Sequence, residues 1–141
     1  MVCSWILNMI EPKLRTSIAY VGTAKLMWTS LKKLYMVSNV LKIHQLKTKL
    51  AECKQGGSEV MGFFSRLMGL WSELENQARF PRCTCGKCEC NIGKQLIKMI
   101  EEEKAHQFLM GLNNEVYANI RGQILAINLL PPLNKIFSMV H

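Results

Sequence analysis

Cys83-Thr84-Cys85-Gly86-Lys87-Cys88-Glu89-Cys90 places four thiols within eight residues, in a C-x-C-x2-C-x-C pattern. As thiolates, Cys83, Cys85, Cys88 and Cys90 would supply the tetrahedral sulfur set that zinc takes, with Gly86 letting the backbone fold around the ion and Lys87 offsetting part of the negative charge. Structural zinc sites more often pair cysteines two to four residues apart, and a C-x-C pair is strained when both sulfurs bite one metal. Zinc at this loop therefore stands against reduced, solvent-facing thiols. Cys3 and Cys53 suit small buried hydrophobes better than ligands. His106 completes a metal shell only if it faces the loop, and a packed or solvated histidine is the ordinary reading for it and for His44.

Little else in the chain suits catalysis, and a noncatalytic protein without a small-molecule substrate is expected. The sequence contains no aspartate, and its glutamates are scattered or run together at 101–103. That leaves no paired-carboxylate site. No phosphate-cradling glycine loop, G-x-S-x-G or H-E-x-x-H occurs. A nucleophile at Cys85 or Cys88 would need a histidine base from far away in sequence.

Charge points to partners instead. Net charge is +8, and residues 1–57 hold nine Lys/Arg against Glu11 and Glu52, or +7, while the remainder nearly cancels with nine basic and eight acidic residues. Such a half attracts RNA, an anionic membrane or an acidic partner at long range. Lys32, Lys33, Lys42, Lys47, Lys49 and Lys54 are the candidate nucleic-acid contacts. The competing reading is solvated helix faces, since few arginines and no aromatic interleaving accompany them. No apolar run approaches the roughly 20 residues needed to span a bilayer, and the start lacks a basic region followed by an apolar one. The expectation is a cytoplasmic protein with reduced thiols, in which the six cysteines form no disulfide framework.

The elements that would position these groups read as all-α, because 3.6-residue periodicity dominates and strand-like alternation is nearly absent. Two short helices are predicted over 4–10 and 12–20, with Pro12 at a first helical position. Thr23 caps a third, whose apolar stripe is Leu26, Met27, Leu31, Leu34 and Tyr35. Over 39–55, Ile43, Leu46, Leu50 and Cys53 form a seam flanked by Lys42, Lys47, Lys49 and Lys54. Those lysines would repel across a parallel coiled-coil dimer, so the seam is expected to pack within its own fold. Gly56 and Gly57 end this segment.

Ser58 is the predicted N-cap of the strongest amphipathic helix, whose face carries Val60, Phe63, Phe64, Leu67, Trp71 and Leu74. Gly62 and Gly69 within it each cost up to about 1 kcal/mol relative to alanine, unless they permit close helix packing. Further helices are predicted over 92–110, 115–127 and 133–140. Gly111 is placed for a positive φ, Asn113 for capping, and Pro131 and Pro132 for stopping the helix after Leu130. The Pro/Gly/Cys-rich stretch 79–93 is read as a loop between two small helical lobes, 1–78 and 94–141. Trp28, Phe63, Phe64, Leu67, Trp71, Leu74 and Phe108 are the expected core or interface residues, and Trp5 is read as core on the same spacing.

The wording of many segments resembles the capsid-like Gag region of plant copia-type long-terminal-repeat retrotransposon polyproteins. The matching residues are Trp5-Ile6-Leu7-Asn8, Ser17-Ile18-Ala19-Tyr20, Thr23-Ala24 with Trp28 and Leu31, and Lys42-Ile43-His44-Gln45-Leu46-Lys47. They continue through Lys54-Gln55-Gly56, Leu70-Trp71-Ser72-Glu73-Leu74, His106 to Asn113, Ile120 to Leu125 and Leu130 to Phe137. The resemblance covers nearly the whole chain in order. It implies a noncatalytic structural protein, or a remnant of one, that associates with copies of itself into a capsid-like shell around RNA. Cysteine-dense loops are similar to those in related sequences of this kind, whereas the usual C-x2-C-x4-H-x4-C RNA-binding knuckle is absent. Related sequences continue on both sides, so the resemblance also implies trimming at both ends, which would expose apolar helix faces and favour a homo-oligomer. The alternative function is a zinc-dependent binding module for nucleic acid or protein, organised by the cysteine loop.

Overall fold

Local chemistry sets several helix boundaries. In the computed structural model, which describes all residues except Met1, Tyr20, Val21, Phe80, Arg82, Cys88, Cys90 and the side chain of Ser17, the described residues form seven α-helices and no strands. These are α1 (Val2–Met9), α2 (Pro12–Ile18), α3 (Ala24–Glu52), α4 (Val60–Gln77), α5 (Ile92–Gly111), α6 (Asn114–Leu125) and α7 (Leu133–Val140). The all-α expectation holds.

Pro12 opens α2, where its missing N–H costs nothing. Thr23 Oγ1 accepts the Leu26 N–H at 3.4 Å at the start of α3, and Asn113 Oδ1 accepts the Glu115 N–H at 3.0 Å at the start of α6. Both side chains satisfy amide groups that a helix start otherwise leaves unpaired. Ser58 does not cap α4. Its hydroxyl donates backwards to the Gln55 carbonyl at 2.6 Å, and the cap position belongs to Glu59. The predicted third helix and the 39–55 segment fuse into the single helix α3, since no glycine or proline interrupts them. Helix α6 stops at Leu125, before Pro131 and Pro132, and Pro132 instead stands at the extended position that opens α7.

The chain divides into two units, residues 1–45 and 46–141. The expected boundary in the 79–93 loop is thereby corrected. Helices α4 and α5 on either side of that loop share one core, because the apolar face of α4 finds its cover on α5 to α7. Val60, Phe63, Leu67 and Trp71 of α4 are buried with Ala105, Phe108, Leu109, Leu112, Ile124, Leu133, Ile136 and Val140. Leu50, Cys53, Phe64 and Phe137 pack on this cluster, and Leu74 is half-buried. Phe63 stacks on Phe108 with centroids 5.7 Å apart, while Phe64 meets Phe108 edge-on at 5.3 Å and Phe137 at 4.4 Å.

Gly111 has no positive φ. It is buried where a Cβ would lie 3.1 and 3.2 Å from Phe63 Cε2 and Cε1, and closer still to Cζ. Close helix approach is the reason for glycine there. Gly69, by contrast, has open space around it. Beside Gly111, buried Gln55 ties three segments together. Its N–H donates to the Gly111 carbonyl at 2.8 Å, its Oε1 accepts the Asn113 N–H at 2.9 Å, and its Nε2 donates to the Ser58 carbonyl at 3.1 Å. A buried amide side chain is tolerable only when satisfied in this way.

The 1–45 unit is built differently. Among its described residues only Ile18 and Met27 are buried hydrophobes. Two helices of eight and seven residues are too short to cover the apolar positions spread around α3.

Candidate interaction surface

The predicted metal loop is only partly described. Cys83 and Cys85 are exposed with their Sγ atoms 2.7 Å apart, and Cys88 and Cys90 lie outside the described residues. Two sulfurs bound to one tetrahedral zinc at about 2.3 Å each would stand roughly 3.8 Å apart, so this pair would have to open to share an ion. His106 is exposed on α5. Among the described residues no group of three or more His, Cys, Asp or Glu converges on a point that could hold a metal.

The six candidate lysines are all exposed, but they do not form one stripe. Lys32, Lys33 and Lys42 belong to the first unit and Lys47, Lys49 and Lys54 to the second. At roughly 100° per residue, Lys47 and Lys49 point to opposite sides of α3. Lys49 and Lys54 flank a shallow groove of about 580 Å³ that also receives Glu52 and Arg66. Arg66 is held there by the Lys54 carbonyl at 3.1 Å and the Ser58 hydroxyl at 2.9 Å. Lys32 Nζ sits 5.6 Å from the Trp28 ring centroid, a cation–π geometry.

The expected core residues separate into two groups. Phe63, Leu67, Trp71 and Phe108 are buried, and Trp71 Nε1 donates to Gln107 Oε1 at 2.6 Å. Trp28 and Trp5 are 57% and 64% exposed, which corrects their reading as core. Helical spacing identifies an apolar face but not whether anything covers it. Among the described residues they belong to a set of eleven large hydrophobes exposed on residues 2–41, against two buried in the same unit.

These exposed residues have a pattern that inspection for a single stripe misses. On a helical wheel of α3, Leu26, Val37, Val40 and Leu41 fall within an arc of about 100°. Trp28, Leu31 and Tyr35 occupy the opposite side and, with Leu34 at the edge of that arc and Ile10 and Leu14, line a groove of about 720 Å³. On α1, Val2, Trp5 and Met9 share a third exposed face at spacings of three and four.

Among the described residues one titration is shifted, that of Lys104 in the 46–141 unit. Burial pulls the Lys104 pKa down, but hydrogen bonding and charge from Glu75 at 2.5 Å and Glu101 at 3.4 Å outweigh it, so the value lies above the ordinary 10.5. This tie joins α4 to α5 and is structural. Among the described residues no helix is long and apolar enough to cross a membrane. Set against protein-family models, curated proteins and solved structures, the chain matches none.

Proposed function

We propose that the chain is a noncatalytic structural protein of the Gag type, or a remnant of one, that associates with copies of itself and neutralises RNA with its lysines. The observation that carries this reading is the contrast, among the described residues of the first unit, between eleven exposed large hydrophobes and two buried ones. A monomer rarely leaves so many large apolar side chains uncovered on a unit of this size. The strip Leu26, Val37, Val40 and Leu41 on α3 is the assembly face, because helix packing through such a strip removes it from water without requiring a concave partner. The sequence resemblance to copia-type Gag supports the same reading.

Size-exclusion chromatography with light scattering tests it. The mass rises with concentration, and Val37→Glu with Val40→Glu returns it toward the monomer. A well-folded monomer at every concentration would defeat the proposal. Retention on RNA falls steeply with salt if the lysines act by releasing counterions.

The second reading is a zinc-dependent binding module, which requires the Cys83 and Cys85 sulfurs to open from 2.7 Å to share an ion. Metal analysis of freshly purified protein decides it, since such a module contains zinc and loses binding on chelation.

A further inference from the structure

We infer that the 1–45 unit docks on an anionic lipid surface, laying the exposed face of α1 and the aromatic rim of its groove into the headgroup region. This does not depend on the assembly reading, which uses the other side of α3.

Two properties of the unit must be matched by one partner. The first is charge. Lys13, Arg15, Lys25, Lys32, Lys33 and Lys42 stand against Glu11 alone, a net +5. The second is exposed apolar surface, in which Val2, Trp5 and Met9 line one side of a helix that carries no charged residue. Trp28 and Tyr35, 57% and 74% exposed, edge the groove beside Lys32. A second copy of this unit covers apolar residues but supplies no negative charge to match Lys13, Arg15, Lys25 and Lys32. RNA accepts the charge but leaves Val2, Met9 and Leu34 in water, since aliphatic side chains gain nothing from phosphates.

An anionic leaflet satisfies both at once. Its surface potential attracts Lys and Arg within a Debye length, and its interface is where tryptophan and tyrosine place a polar edge in the headgroups and a ring in the apolar layer. The Lys32 ammonium over the Trp28 ring puts cation and aromatic at the same depth. With eight residues α1 is too short to span a bilayer, so its three large residues on one face lie in that interface.

Full-length protein is mixed with vesicles of phosphatidylcholine alone or with added phosphatidylserine, and binding is read by co-sedimentation and tryptophan emission. Buried Trp71, held by Gln107, contributes a constant background, so a blue shift reports Trp5 and Trp28. The expected result is at least roughly tenfold tighter binding to the phosphatidylserine vesicles, lost at high salt, with a blue shift on binding. Trp5→Ser weakens binding to both vesicle types. Lys25→Glu with Lys32→Glu, both outside the assembly strip, abolishes the preference for phosphatidylserine. Unchanged helical circular dichroism shows that these surface variants fold. Light scattering on the bound and unbound fractions separates this from assembly.

Equal binding to the two vesicle types, binding without a blue shift, or full binding by Trp5→Ser would each overturn the inference. So would displacement from vesicles by an acidic, leucine-bearing helical peptide at equal affinity, which would assign the surface to a protein.

Discussion

Alanine at position 111 should destabilise the 46–141 unit, whereas alanine at position 69 should stabilise it, although both positions are glycines in helices. At Gly111 the added methyl meets the ring of Phe63. That ring is fully buried, stacks on Phe108 at 5.7 Å and has the Arg66 guanidinium 6.0 Å from its centroid, so it has nowhere to swing. Moving the backbone away instead would stretch the 2.8 Å bond from the Gln55 N–H to the Gly111 carbonyl. Overpacking of this kind costs about 1–3 kcal/mol. The helix-propensity gain is at most about 1 kcal/mol and smaller at the last residue of α5. The net expectation is a loss of about 1–2 kcal/mol. At Gly69, within α4 and with open space around it, only the propensity term remains, and Gly69→Ala gains about 0.5–1 kcal/mol.

The assay is urea unfolding followed by Trp71 emission, in a background where exposed Trp5 and Trp28 are phenylalanine so that the signal reports the core alone. Phe63→Leu should partly relieve Gly111→Ala, giving a coupling of about 0.5–3 kcal/mol in a double-mutant cycle. Gly111→Ala as stable as its parent, or an additive cycle, would refute the close-packing argument.

Gln55→Ala should cost about 1–3 kcal/mol in denaturant midpoint analysis, since it leaves the Asn113 N–H without its partner and removes the bond to the Ser58 carbonyl. Phe108→Ala should cost about 3–5 kcal/mol, whereas Trp28→Ala should stay within about 0.5 kcal/mol, a contrast readable by thermal melts. Lys104 has a raised pKa, so its stabilisation is complete below 10.5, the unfolded value, and is lost as pH rises through the higher folded value. With Glu75 46% exposed the effect is under about 1 kcal/mol, and Lys104→Met should abolish this alkaline loss in melts between neutral and strongly basic pH.

Much of the architecture is legible from residue spacing. Val60, Phe63, Leu67 and Trp71 recur at three and four, and a face that apolar must be covered, so α4 and its burial follow directly. Thr23 and Asn113 accept amides within three residues of themselves and Pro12 brings no N–H to leave unpaired, and such local chemistry needs no knowledge of the rest of the chain. The bounds of α7 are read equally well, because Pro132 precedes a short and strongly one-sided apolar segment.

Long-range packing decided the remainder. Trp28 and Trp71 have the same signature in sequence, yet Trp71 meets Gln107 and the core while Trp28 stays in solvent, because coverage depends on segments distant in the chain. Gly111 reads as a turn glycine until Phe63, nearly fifty residues earlier, is brought against it. Gln55 reads as the end of a helix, yet only in three dimensions does it join Gly111, Asn113 and Ser58. The division at residue 45 rather than in the cysteine loop has the same origin. Periodicity records which side of each helix is apolar, but which of those sides meet is set by the free energy of the assembled chain.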